Sequence, residues 1–123
     1  MSPDGGSLIE SSCIFCKILL GKAHANIIYR DDRVTAFRDI HPIARTHILI
    51  IPNRHIDSIN ELEAPDESMV GHMLMVAKDL AAQAGVAEKG YRIMLNTGLD
   101  GGQTIHHLHV HLIAGKLTRF LVG

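Results

Sequence analysis

The segment Gln103-Thr104-Ile105-His106-His107-Leu108-His109-Val110-His111-Leu112-Ile113 carries four of the nine histidines of this 123-residue chain. Three of them, His107, His109 and His111, alternate with Leu108, Val110 and Leu112. A strand sends successive side chains to opposite faces, so the alternation predicts a row of imidazoles on one face and aliphatics entering a core on the other. At about 3.3 Å of rise per residue, neighbouring imidazoles stand roughly 6 to 7 Å apart at their Cα atoms. One could attack a substrate while the next touches the same substrate's oxygen or leaving group. Imidazoles fill cores poorly and cost stability unless their nitrogens are satisfied, so three on one face need a reason. Spacing alone leaves three reasons open: phosphoryl chemistry, a metal site, since three histidines can bind zinc directly, or the exposed polar face of a half-buried sheet.

Upstream lies Asn96-Thr97-Gly98-Leu99-Asp100-Gly101-Gly102-Gln103-Thr104. Asp-Gly-Gly predicts a turn with positive φ and a backbone free of Cβ, which lets amide N–H groups approach an anion closely. A glycine loop feeding a histidine strand reads as a phosphate site with a nucleophile beside it.

Several elements must position these residues. Cys13 to Leu20 predicts a short helix stopped by Gly21 and carrying Cys13-Ile-Phe-Cys16, a spacing that fits a redox pair, half of a metal site, or two small core residues. Asn26 to Tyr29 and Val34 to Phe37 flank the polar turn Arg30-Asp-Asp-Arg33 and read as a hairpin. Thr46 to Ile51, a β-branched run bounded by Pro52, reads as a central strand opened by His47. From Asp66 to Ala84 the apolar residues Met69, Val70, Met73, Leu74, Ala77, Leu80, Ala81 and Ala84 recur at three and four, so a long helix is expected, capped by Gly85. Tyr91 to Leu95 reads as a strand ending at Asn96. His24, His41 and His72 read as surface or structural residues. Together these elements predict an α+β domain with a mostly antiparallel sheet of about five strands, packed on one long and one short helix.

The length suits one domain, residues 12–123, preceded by a polar, glycine-rich tail over residues 1–11 that is expected to be disordered. Twelve Lys and Arg stand against 13 Asp and Glu with no basic block, which argues against a nucleic-acid surface but leaves a small anionic ligand open. Apolar runs such as Ile48-Leu-Ile-Ile51 are too short to span a bilayer, and Met1 to Ser7 lacks the basic and apolar segments of a secretion signal. Only two cysteines occur, which fits a reducing compartment. A soluble, cytoplasmic protein is expected.

His107-Leu-His-Val-His-Leu-Ile113 resembles the signature of the histidine triad family, His-apolar-His-apolar-His-apolar-apolar, with Asp-Gly-Gly-Gln-Thr before it. The likeness extends through Phe37-Arg-Asp-Ile40, Thr46-His-Ile-Leu-Ile-Ile-Pro52 and Gly90-Tyr-Arg-Ile-Met-Leu-Asn96, so the chain resembles the Hint branch from about Cys13 to about Ala114. That resemblance implies a hydrolase of purine nucleoside phosphoramidates, working through a nucleotidyl intermediate on His109, with His111, His107 and His47 supporting it. It implies an AMP-like ligand held by Asp39 on the ribose hydroxyls, by Ile14, Phe15, Ile18, Phe37 and Ile40 around the base, and by Asn96, Gly102, Gln103 and Thr104 at the phosphate. It further implies one structural zinc on Cys13, Cys16, His55 and His107, no organic cofactor, and a two-fold homodimer around the long helix and the Tyr91 strand. Dinucleoside polyphosphate hydrolysis, nucleotidyl transfer to another acceptor, and a nucleotide-binding interaction module with incidental turnover are the alternatives. Beyond Ala114 the likeness fails: Hint-like chains commonly end in a tryptophan and proline segment, and Gly115 to Gly123 has neither residue. The leaving-group preference is therefore open.

Overall fold

The computed structural model describes Ile9 and residues 12–116. The expected N-terminal tail, apart from Ile9, and the end of the divergent C-terminal segment fall outside the described residues. The elements follow in the order α1 (Ile14–Leu19), β1 (Ile27–Arg30), β2 (Val34–Arg38), β3 (Thr46–Pro52), α2 (Glu67–Gln83), β4 (Arg92–Met94) and β5 (Val110–Ala114), with two 3-10 turns at Ile59–Glu61 and Ala64–Asp66. The five strands form one sheet in the order β1-β2-β3-β5-β4, and every neighbouring pair is antiparallel. No described helix is long and apolar enough to cross a membrane.

The central strand β3 is buried on both faces because a helix covers each. Ile48 and Ile50 pack with Val34, Ala36, Val110 and Leu112 against Met73, Val76, Ala77, Leu80 and Ala81 of α2. Leu49 and Ile51 point the other way, into a smaller cluster with Phe37 and with Phe15, Ile18 and Leu19 of α1. Period-2 alternation thus divides the molecule into two layers about the sheet. Along α2 the apolar stripe departs from its expected membership: Leu74 is exposed and Val76 takes a core position.

Strand pairing fixes which residues share the α1 face. Phe37 stands opposite Leu49, Leu49 opposite His111, and His111 opposite Met94, giving one row across four strands. Since Val110 and Leu112 are fully buried on the α2 side, a one-residue slip of β5 would put His111 into that core and take both aliphatics out. Fully burying a Val or Leu side chain is worth roughly 1.5 to 3 kcal/mol, so the register is strongly held.

The β1–β2 turn is organised by Asp31. Its carboxylate accepts hydrogen bonds from Tyr29 Oη (2.6 Å), His72 Nε2 (2.6 Å), and the amides of Arg33 and Val34 (2.8 Å each). Burial works against its charge, yet these donors hold the carboxyl well below the usual carboxylate range. His72 thereby ties α2 to the hairpin.

Candidate active site

The ladder of β5 begins at Val110, so His107 and His109 lie just before it. His107 N–H closes on Ile105 O at 2.9 Å, and Leu108 N–H donates to Ile56 O at 2.7 Å, which carries this stretch away from β3. His109 is 6 % exposed and its Nδ1 lies 2.7 Å from His107 O. Carbonyl oxygen only accepts, so Nδ1 carries the proton and Nε2 keeps its lone pair. The Phe15 ring stands edge-on to it, with centroids 5.3 Å apart and an interplanar angle of 88°. Burial pushes the His109 pKa below the usual imidazole value, against the opposing pull of the His107 carbonyl and Asp39. This imidazole is therefore neutral at neutral pH, with Nδ1 fixed as a donor and Nε2 keeping its lone pair.

The next ring, His111, is 4.9 Å from His109 between centroids. Its Nδ1 sits 2.9 Å from Nε2 of His47, diagonally across β3. The direction of this hydrogen bond follows from its far end. Ile43 N–H donates to His47 Nδ1 at 3.2 Å, so in the neutral ring the proton resides on His47 Nε2 and is given to His111 Nδ1. His111 must then carry its own proton on Nε2. Burial, with His109 and His47 beside it, holds the His111 pKa down at about 4. Burial also lowers His47, although Asp39 Oδ2, 3.4 Å from its Nε2, pulls the other way. Asp39, His47 and His111 lie close enough together to be weighed as metal ligands. The Ile43 amide argues against it: it occupies Nδ1 and leaves the metal-facing nitrogen of His47 protonated. The trio is a chain of hydrogen bonds that ends in an outward N–H.

The glycine loop is held by its own side chains. Asn96 Nδ2 donates to Gly101 O (2.7 Å), Gly102 N–H to Leu99 O (3.0 Å) and Gln103 N–H to Gly98 O (3.0 Å). Gln103 is buried, and its amide is committed within the protein, with Nε2 donating to Asp57 O (2.7 Å) and Ile105 O (3.0 Å) and Oε1 accepting from Gly98 N–H (2.9 Å). At Gly101 a Cβ would meet Thr97 O at 2.1 Å, and Gly102 adopts φ +83°. Neither position accepts a larger residue without moving the loop.

On the far side of Phe15, a cavity of about 200 Å³ is lined by Ile14, Phe15, Ile18, Phe37, Asp39 and Ile40, and also by His24, Ala25, Arg38, His41, Leu49 and Ile105. Asp39 Oδ1 accepts the His41 amide at 2.8 Å, which orients the carboxylate at the cavity edge. Thr104 is exposed and lines a different hollow, shared with Ser12, Cys13, His55 and Asp57.

Cys13, Cys16, His55 and His107 converge beneath this site, each offering one donor atom, with all four atoms within 4.8 Å of one another. Cys13 Sγ is 3.4 Å from His107 Nδ1, and Cys16 Sγ is 3.3 Å from His55 Nδ1 and 3.6 Å from His107 Nδ1. A tetrahedral ion with the usual zinc–sulfur and zinc–nitrogen bonds would separate such atoms by about 3.6 Å. Both imidazoles present Nδ1 because Nε2 is engaged behind it: His107 Nε2 donates to Pro52 O (3.0 Å), and His55 Nε2 lies 2.7 Å from Asp57 Oδ1. Such outer partners leave the inner nitrogens free to ligate. The four residues could hold a metal ion, and the donor set suits zinc chemistry.

Residues 12–120 match the family described as scavenger mRNA decapping enzyme C-term binding. A purine nucleoside phosphoramidase of Escherichia coli strain K12 is 50% identical over 103 residues, covering 84% of this chain and 87% of that protein. The chain belongs to the histidine triad family. A histidine triad family hydrolase from Legionella pneumophila superposes with a TM-score of 0.83 at 42% identity, covering 88% of this chain and 96% of that one. A zinc-bound histidine triad family protein from Mycobacterium smegmatis gives a TM-score of 0.77 at 32% identity, covering 85% of this chain and 76% of that one.

Within this histidine triad chain the three imidazoles divide their duties. The rings of His109 and His111 stand side by side with His47 hydrogen-bonded to the second, while the ring of His107 belongs to the cysteine cluster and its carbonyl accepts from His109. Ile14, Phe15, Ile18, Phe37, Asp39 and Ile40 gather at one cavity, and the side chains of Gln103 and Asn96 hold the glycine loop. Reading the sequence missed Leu49, which the β2–β3 register sets opposite Phe37, and Ile105, His24 and His41, for which no local pattern existed.

Proposed function

We propose that this chain, with residues 12–123 as its catalytic domain, hydrolyses purine nucleoside phosphoramidates to a nucleoside monophosphate and an amine. The observation that carries the reading is the fixed tautomer of His109, whose Nδ1–H is held by His107 O while Nε2 lies free beside the outward N–H of His111. In the first step His109 Nε2 attacks the phosphorus and the P–N bond breaks. Because the hydrogen-bond chain keeps His111 neutral, the proton that the departing amine needs comes from the substrate's own protonated nitrogen. His111 Nε2–H stabilises the phosphoryl oxygens, while the Gly102 N–H, given to Leu99 O, holds the loop rather than the phosphate. Water then attacks the nucleotidyl phosphorus and the P–Nε2 bond breaks. A proton is released, and His109 returns as neutral imidazole. Asp39 accepts hydrogen bonds from the ribose hydroxyls, and the apolar cavity receives the base.

Replacing His109 with alanine tests this. AMP release from an adenosine phosphoramidate should fall by about a thousandfold or more, and the mass of a trapped nucleotidyl-protein should disappear. A fall of less than about tenfold is too small for loss of a nucleophile.

The metal on Cys13, Cys16, His55 and His107 is, in this reading, a structural zinc, supported by the donor set and its spacing. We read the working form as a cytoplasmic homodimer. The exposed Leu74 and Met75 of α2 and the exposed Tyr91 and Ile93 beside the open edge of β4 support a self-association surface. A monomer mass at micromolar concentration in solution would refute it.

A further inference from the structure

The base cavity has a floor of carbon and a polar mouth. Phe15, Ile18, Phe37 and Leu49 line it and carry no side-chain group able to hydrogen-bond a base edge. Among the described residues, the polar and charged ones that contribute to the lining are His24, Arg38, Asp39 and His41. Two of these are otherwise engaged. Asp39 faces the ribose position and is oriented by the His41 amide. Arg38 stands opposite Ile48 in the β2–β3 ladder, and cross-strand partners share a face, so its side chain leaves on the α2 side, away from Phe37. Two exposed imidazoles remain: His24, from the connection between α1 and β1, and His41, from the turn after β2.

We propose that His24 and His41 read the far edge of the base and are the residues that select purines over pyrimidines. This rests on the nucleotide reading of the site, since it takes Asp39 and His109 as anchors of ribose and phosphate. With those two points fixed, the base projects across the floor towards the mouth. A bicyclic purine reaches further from its ribose than a pyrimidine does, so its outer edge is the part that meets the imidazoles. A neutral imidazole presents one N–H donor and one lone-pair acceptor. Each ring can therefore make one hydrogen bond to a base edge, accepting from the amino group or donating to a ring nitrogen of adenine, or donating to the carbonyl or accepting from the N–H of guanine. Discrimination should be strong between ring sizes and weak between the two purines.

Binding of AMP, GMP and CMP to the full chain, measured by calorimetry, tests this without requiring turnover. His24→Ala and His41→Ala should each weaken AMP and GMP about fivefold, the loss expected for one hydrogen bond, and change CMP less than twofold. His24→Gln and His41→Gln, whose amides supply both a donor and an acceptor, should restore purine binding, whereas phenylalanine at either position should not. An unchanged AMP to CMP ratio in both alanine variants, an equal loss for all three nucleotides, or rescue by phenylalanine would overturn the proposal, as would failure of the wild-type chain to bind AMP. If the wild-type chain binds AMP with these ratios yet hydrolyses no phosphoramidate, the proposed reaction fails while the base-reading role stands.

Discussion

His47 shows how a residue that never touches the phosphorus can govern the one that does. Its Nδ1 is pinned by the Ile43 amide, and its Nε2–H settles which nitrogen of His111 points outward with a proton. Removing the ring frees His111 to take the other tautomer, which presents a lone pair to the phosphoryl oxygens and repels them. His47→Ala should therefore lower kcat by ten- to a hundredfold, on the scale of about 1.4 kcal/mol per decade, with KM changed less than about threefold. His47→Gln should recover most of that loss, because its amide can accept from Ile43 and donate to His111. If alanine and glutamine are equally damaging, the tautomer argument is wrong. From the sequence, His47 could be placed at a strand end and matched by resemblance, but its partner was not visible. A diagonal contact between β3 and β5 depends on register, and register is a property of the folded sheet. Gln103 illustrates the reverse: the family resemblance implied a phosphate contact, while its amide is consumed in holding the loop.

At the scale of elements, the loop before β5 and the helix α1 each depend on a tightly packed point. A Cβ at Gly101 would stand 2.1 Å from Thr97 O, well inside contact distance, so Gly101→Ala must shift the turn that Asn96 and Gln103 close. Such a change should lower kcat/KM at least tenfold and cost roughly 1 to 3 kcal/mol of stability, read as a lower urea midpoint; a variant with wild-type kinetics would show the loop does not hold the phosphate. The cysteine cluster joins α1 to the segment after β3 and to the approach to β5, three stretches distant in sequence. Cys16→Ser should lose most bound zinc by elemental analysis and lower the melting temperature. Chelation of the wild type should do the same, and zinc retained at one per chain in the variant would dismiss this ligand set. Helix and strand positions were largely legible, since period 2 and period 3.6 are local signals. The alternation at His107, Leu108 and His109 misled in one respect: it extends into a stretch that leaves the ladder, because Leu108 pairs with Ile56 rather than with β3.

Taken whole, the molecule gathers buried and half-buried neutral imidazoles on and beside one face of its sheet, and this ties its stability to pH. What the sequence showed was the row of histidines; how deeply they are covered depends on α1 closing over them, a contact between residues nearly a hundred positions apart. His111 has a folded pKa of about 4 against 6.5 for the free side chain. Between those values the unfolded chain binds a proton that the folded chain refuses, so folding is favoured less as pH falls. The contribution is complete above pH 6.5 and is lost progressively down to pH 4, up to about 3 kcal/mol at about 1.4 kcal/mol per pKa unit. His47 and His109, also lowered chiefly by burial, act in the same direction. Asp31 is depressed as a carboxylate, so its stabilisation is lost only below the usual carboxylate value and falls outside this window. Urea unfolding of the wild type and of His111→Asn at pH 7, 5.5 and 4.5 isolates the imidazole, since every other group is common to both proteins. The wild type should lose stability more steeply than the variant across that range, and curves that run parallel would mean that the ring of His111 is charged in the folded state as easily as in water.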